Sequence, residues 1–180
     1  MNKKLIGTKT EQNLHAAFAG ESMARNKYDF FAAKAKKDGY EQIAAFFSET
    51  AHNEKEHAKI WFKLLHDGMP DTATNLVLGI EGENFEHTQM YAQFAREAKE
   101  EGFNDIAILF EGVGKIEATH EARYKKLLEA LKTGTVFKKA APVSWVCRNC
   151  AHPYEGKDAP KMCPICDHPQ SFFEMKQENY

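Results

Sequence analysis

Apolar residues recur at alternating steps of three and four along four long stretches of the chain, the spacing of a helix that buries one stripe. The pattern predicts helices over about residues 10–38, 40–66, 74–101 and 104–132. Gly39, Gly68, Gly102 and Gly134 follow them as stop signals, since a helix often closes on a left-handed residue. Thr8 and Glu11 have the spacing of a capping box ahead of the first helix. The stripe of the second helix reads Ile43, Phe47, Thr50, Glu54, His57, Trp61 and Leu64, and that of the fourth reads Ile106, Phe110, Val113, Glu117, His120, Tyr124, Leu127 and Leu131. Leu14, Phe18, Glu21, Tyr28, Phe31 and Ala35 form the stripe of the first helix. Ile80, Glu83, Met90 and Phe94 form that of the third, with Glu86 one turn from Glu83. All four stripes are expected to face inward.

The halves of this pattern are copies. A shift of 63 residues superposes Phe31 on Phe94, Gly39 on Gly102, Ile43 on Ile106, Phe47 on Phe110, Glu54 on Glu117 and His57 on His120. Before Tyr28 the shift is 62, which aligns Gly20 and Glu21 with Gly82 and Glu83. The third helix therefore holds one residue more than the first between its first glutamate and its tyrosine. A single inserted residue in a continuous helix forms a π-bulge, expected between Glu83 and Tyr91. One acidic residue breaks the symmetry, because Glu86 has Ala24 at its place in the first half.

Charge on an apolar stripe needs compensation. A carboxylate removed from water costs several kcal/mol even after relaxation, and here Glu21, Glu54, Glu83, Glu86 and Glu117 lie on stripes with His57 and His120. Glu54 with His57, and Glu117 with His120, spell ExxH. Two helices giving a Glu each and two giving ExxH, all inward, is the pattern of a di-iron carboxylate site in a helical bundle. Residues three apart share a helix face, so each ExxH can offer both side chains to the same metal pair.

Beyond Gly134 the TVFKKAAP segment reads as a linker, and the tail then carries all four cysteines of the protein. Cys147, Cys150, Cys163 and Cys166 form two CxxC turns separated by twelve residues. Each turn offers two sulfurs to one ion, and two turns complete a tetrahedron. Two disulfides in a secreted domain are the competing arrangement. A tail of about 40 residues builds little core and normally needs such a staple. Around iron the four thiolates carry one electron; around zinc they are structural, and spacing does not separate the two.

The 180 residues are 43% hydrophobic, enough for a bundle core. The net charge of -2, with basic and acidic residues interleaved, argues against a nucleic-acid partner. The N-terminus lacks an apolar signal-like run and no stretch has the length of a membrane span, so a cytoplasmic protein is expected, consistent with reduced thiolates.

The AFAGESMARNKY stretch, the two ExxH elements, GENFEHTQMY and the terminal CxxC pair together resemble the rubrerythrin family over nearly the whole chain. The resemblance implies an all-α fold: a ferritin-like four-helix bundle over residues 1–138 with a di-iron site, then a small rubredoxin-like FeS4 domain over residues 139–180. It implies a hydrogen peroxide reductase of oxidative-stress defence, with electrons entering through the FeS4 centre from a rubredoxin or an NADH-dependent reductase. Carried over, it makes Glu54 and Glu117 bridging ligands, Glu21 a terminal ligand of one iron, and Glu83 with His120 terminal ligands of the other. Glu86 and His57 then alternate on the first iron with its oxidation state, and Tyr28 and Tyr91 hydrogen-bond ligand carboxylates or act as core aromatics. His15, His52 and His87 are left as surface or packing residues. Rubredoxin-type turns usually place Gly after the second Cys of each pair, where this chain has Ala151 and Asp167. The alternative is an iron-handling ferroxidase whose tail binds zinc; an α-helical docking scaffold would leave the inward carboxylates unexplained.

A ferritin-like bundle runs the second and third helices parallel, so their connection must travel the ~40 Å length of the second, which takes about a dozen extended residues. Only about six lie between Gly68 and the third helix. The expectation is a homodimer that exchanges hairpins, as some members of the family do. The alternative is a self-contained bundle in which residues 69–80 unwind into a crossover.

Overall fold

The computed structural model describes residues 4–178. The expected all-α architecture is present. Helices α1 (Lys9–Lys37), α2 (Glu41–His66), α3 (Thr72–Phe85), α4 (Tyr91–Glu100) and α5 (Asn104–Lys132) precede a small module of strands β1 (Lys138–Cys147), β2 (Pro153–Asp158) and β3 (Phe173–Met175). A π-helical turn, Glu86–Met90, joins α3 to α4. It is the inserted residue's predicted bulge: the Tyr91 N–H donates to the Glu86 carbonyl five residues back. Because α3 begins at Thr72, residues 72–80 do not unwind into a crossover. Among the described residues no helix is long and apolar enough to cross a membrane.

Contacts divide the chain into two compact units, one ending at Asp71 and one beginning at Thr72. The first is the α1–α2 hairpin. The Thr8 hydroxyl caps α1 by accepting from the Glu11 N–H at 3.1 Å. The reciprocal half of the expected capping box is displaced: Glu11 Oε2 accepts from the Gly7 N–H, while the Thr8 N–H donates to the Leu5 carbonyl at 3.0 Å. The hairpin turns at Gly39, whose φ of 86° needs a residue without Cβ strain. There the Tyr40 N–H reaches the Ala35 carbonyl and the Gly39 N–H reaches that of Lys36, a Schellman closure.

The second unit repeats this hairpin with α3, the π-turn and α4 packed on α5, closed by the same motif. The φ of Gly102 is 87°, with Phe103 N–H to Ala98 and Gly102 N–H to Lys99. Its cysteine module is a three-stranded antiparallel sheet in the order β2-β1-β3. Trp145, Cys147, Ala159, Cys163 and Phe173 form its core, and the Trp145 indole N–H donates to the Gly156 carbonyl at 2.9 Å.

On α1 the expected stripe is buried at Leu14 and Ala35, but on the other helices the fully buried residues differ from the expected ones. On α2 the buried residues are Ala44, Ala51, Ala58 and Leu65, and on α5 they are Ala107, Gly114 and Glu121, strict heptad positions that superpose under the 63-residue shift. Ala32 and Ala35 on α1, and Ala95 and Ala98 on α4, complete the two interfaces. Small residues let two helices approach closely. At Gly114 a Cβ would stand 3.3 Å from that of Tyr91. The larger seam residues Phe31, Ile43, Leu64, Phe94, Ile106, Leu127 and Leu131 are exposed instead. A pair of helices can enclose only the narrow strip between them, so the wider apolar face beside it stays open within each unit.

Ala107 is fully buried in the α4–α5 contact. Ala107→Leu should therefore lower the unfolding free energy by about 1–3 kcal/mol through overpacking, read from the denaturant midpoint at unchanged m-value.

Candidate metal centres

The duplicated ExxH elements fold into duplicated geometry. In the first hairpin, Glu21 on α1 meets Glu54 and His57 on α2, with donor atoms of all three within 4.8 Å of one another. His57 Nδ1 stands 2.8 Å from Glu54 Oε2 and 3.9 Å from Glu21 Oε2. In the second, Glu83 on α3 meets Glu117 and His120 on α5 within the same limit. His120 Nδ1 is 2.7 Å from Glu117 Oε2 and 3.6 Å from Glu83 Oε2. Each trio offers two carboxylates and one imidazole nitrogen to a common point, a donor set that suits a first-row divalent metal. The second trio shows the charge strain that a cation would relieve. Burial first, and then the adjoining Glu117 carboxylate, raise the Glu83 carboxyl above its usual range.

Glu86 is carried by the π-turn, half-buried, and its charge contributes to raising both Glu83 and Tyr91. The Tyr91 phenol is raised by burial first, then by Glu86 and Glu117. Among the described residues neither tyrosine hydroxyl hydrogen-bonds a carboxylate. Their rings form matching aromatic clusters, Tyr28 with Phe31 and Phe47, and Tyr91 with Phe94 and Phe110. His15 and His52 are exposed.

His87 is not a surface residue, and its partner escaped the sequence reading altogether. Its Nε2–H donates to Glu121 Oε2 at 2.9 Å, while Glu121 Oε1 accepts from Asn84 Nδ2 at 3.0 Å and pairs with Lys125 Nζ at 2.7 Å. Glu121 is only 8% exposed. Lys125, then His87 and then Asn84 hold its carboxyl down to about 2 against the opposing effect of burial. A signal was present: in the 63-residue register Glu121 falls on Ala58, a charge where the duplicate has a methyl group.

In the tail all four cysteines are free, which removes the disulfide arrangement. Cys147 Sγ lies 3.7 Å from Cys166 Sγ, and Cys150 Sγ lies 3.6 Å from Cys163 Sγ. A tetrahedron with ~2.3 Å metal–sulfur bonds has edges of ~3.8 Å, so the sulfurs fit one tetrahedral ion. The backbone N–H groups of His152 and His168 favour the Cys150 and Cys166 thiolates respectively. Crowding acts the other way at Cys150: the His152 N–H is outweighed by the neighbouring thiols and burial, and its thiol is pushed up to about 12. The two turns are built alike, with Ala151 N–H to the Cys147 carbonyl at 2.8 Å and Asp167 N–H to the Cys163 carbonyl at 3.0 Å. Ala151 and Asp167 take φ values of 60° and 56°. The left-handed turn thus forms without glycine, at a conformational cost that Asp tolerates better than Ala.

Comparison with known proteins covers both parts of the chain. A family model described as Rubrerythrin matches residues 12–128, and one described as the rubredoxin-like domain of rubrerythrin matches residues 145–174. The chain is 49% identical to a rubrerythrin of Porphyromonas gingivalis over 100% of its own length and 96% of the relative's. It is 43% identical to a rubrerythrin of Nitratidesulfovibrio vulgaris over 99% and 100% of the two chains. A solved structure of nigerythrin in its fully reduced, all-ferrous state is 30% identical, covers 94% of this chain and 87% of that one, and has a TM-score of 0.37.

Replacing the strained residue of the first knuckle, Ala151→Gly, should stabilise the metal-loaded tail by about 1 kcal/mol. Denaturation followed by Trp145 emission in a Trp61→Phe background measures it.

Proposed function

The chain belongs to the rubrerythrin family, and from that premise we propose that it is a non-haem di-iron peroxidase that reduces hydrogen peroxide to water in the cytoplasm. The proposed organisation is a di-iron domain over residues 1–138 and an electron-accepting FeS4 domain over residues 139–180. The observation that carries this reading is the coexistence in one chain of two like carboxylate–imidazole trios and a four-sulfur tetrahedron. A two-electron reduction needs both a site that holds two metals and a route by which electrons return to it.

In this reading Glu54 and Glu117 would be shared by the two metals, Glu21 would serve one, and Glu83 with His120 would serve the other. Iron held there would supply the two electrons that, with two protons, convert one peroxide to two waters. The chain's own residues handle the change in charge. Four carboxylates would be constant ligands, and Glu86 and His57 would alternate at one position: the carboxylate would offset the additional positive charge of the oxidised pair, and the neutral imidazole would serve the reduced pair. Tyr28 and Tyr91 shape the apolar wall beside the ligands. Cys147, Cys150, Cys163 and Cys166 would hold a single iron, which would supply one-electron transfer between the chain and an NADH-linked reductase or a rubredoxin.

The proposed assembly is a homodimer in which the α1–α2 hairpin of one chain packs on the α3–α5 hairpin of its partner. Two features support it. The large apolar seam residues of each hairpin are exposed, and such faces mark interaction surfaces. The segment from Asp67 to Asp71 has five residues, an extended reach of roughly 17 Å against a length of ~39 Å for α2.

Two experiments check these statements. Glu86→Ala should keep its iron and lose about tenfold or more of its peroxide turnover; wild-type kinetics would refute the exchange, and a colourless protein with zinc in the tail would favour the iron-handling alternative. Mixing Glu54→Ala chains with Glu117→Ala chains should regenerate one intact di-iron site per exchanged dimer and restore activity. Self-contained bundles would regenerate none.

A further inference from the structure

The two hairpins are built from one duplicated sequence, so each serves as a control for the other. Three features occur only in the second: the inserted residue, the carboxylate of Glu86 in place of Ala24, and the buried carboxylate of Glu121 in place of Ala58. The last has no evident packing reason. The buried heptad positions of α5 run Ala107, Gly114 and then Glu121, a charge after two small residues, and a buried charge needs every one of its partners.

Two of its three partners lie at the start of the π-turn. Asn84 is adjacent to Glu83 and lies two residues before the turn; His87 is adjacent to Glu86 and lies within it. Both donate to the same carboxylate, one to each oxygen, at 3.0 and 2.9 Å. Lys125, one turn along α5, braces the Asn84-bound oxygen at 2.7 Å. The first hairpin has Ser22 and Arg25 at the places of Asn84 and His87. There the Ser22 hydroxyl turns back to the Phe18 carbonyl and Arg25 faces Asp29 on its own helix, so nothing ties α1 to Ala58. α5 therefore presents two clamps to the third helix, offset by about one residue: Glu117 and His120 towards Glu83, and Glu121 towards Asn84 and His87. A π-turn is a wide, weakly specified segment of helix, and the second clamp spans the point where it begins.

We propose that Glu121 is a positioning residue: by holding Asn84 and His87 on one carboxylate it fixes the register of the π-turn and thereby the place from which Glu86 acts. The proposal rests on the role given to Glu86 above. Glu121 itself reaches no metal in this scheme; it acts through the backbone that carries Glu86.

The test compares Glu121→Ala and Glu121→Gln in the full chain. In metal-free protein, amide hydrogen exchange over residues 84–91 should accelerate about tenfold or more in the alanine variant, with residues 22–28 unchanged. Iron-loaded protein should keep its iron content and KM for peroxide while kcat falls about tenfold. Glutamine offers Asn84 an acceptor and His87 a donor, and should restore most of both. His87→Ala breaks the clamp from the other end and must reproduce the exchange result, which covers the case in which Glu121→Ala does not fold. Unchanged exchange over residues 84–91, or acceleration spread evenly through α3, α4 and α5, would overturn the proposal. Full turnover of Glu86→Ala would instead remove the functional reading and leave the exchange result standing.

Discussion

Carboxylates that converge in a partly dry helical seam repel one another, and the structure of this chain is organised around making that tolerable. Glu54 and Glu117 can lie inward because a histidine three residues on, across the same helix face, approaches each to within 2.8 Å. A further carboxylate then arrives from the opposite helix, and the balance is lost: the raised Glu83 reports an arrangement short of positive charge. The four sulfurs of the tail show the same imbalance in a different chemistry, with Cys150 driven up by its neighbours. In both places the donors are gathered more tightly than their own charges favour, which is the condition of a site shaped for a cation.

Duplication explains how such a site arises from simple parts, and departure from duplication explains how its halves differ. Hairpin turns, aromatic clusters and trios recur with similar geometry at positions 63 residues apart, or 62 for Glu21 and Glu83 ahead of the inserted residue. The inserted residue widens the third helix into a π-turn, and a widened turn is a weak point unless something spans it. Glu121 reaches from α5 to residues on either side of the point where that turn begins, Asn84 before it and His87 within it. A methyl group suffices at Ala58, where the facing helix is regular.

Each helix also serves two neighbours with two different surfaces. A heptad of small residues allows close approach within a hairpin, and the larger apolar residues beside it remain available to a second helical layer. This division of labour keeps the hairpins individually compact while leaving large apolar residues of the carboxylate-bearing stripes exposed within each unit.

Periodicity, glycine stops and the repeat sufficed to locate every helix within two or three residues, the π-turn, and the ligand-type residues of all three clusters, because these depend on local spacing and on the chemistry of side chains that apolar stripes reject. Tertiary structure alone decided which of two adjacent apolar stripes each hairpin buries. Alanine and phenylalanine both read as apolar in a pattern, and only the distance between packed helices distinguishes a surface that permits close approach from one that does not. It also decided that Glu121 is buried beside His87 and Asn84, since those residues are more than thirty positions apart along the chain, and that the knuckles adopt left-handed turns at Ala151 and Asp167. The repeat marks Glu121 as an odd charge and the knuckle pattern marks Ala151 and Asp167 as odd residues, but which partners they meet and what backbone they adopt exist only once the chain has folded back on itself.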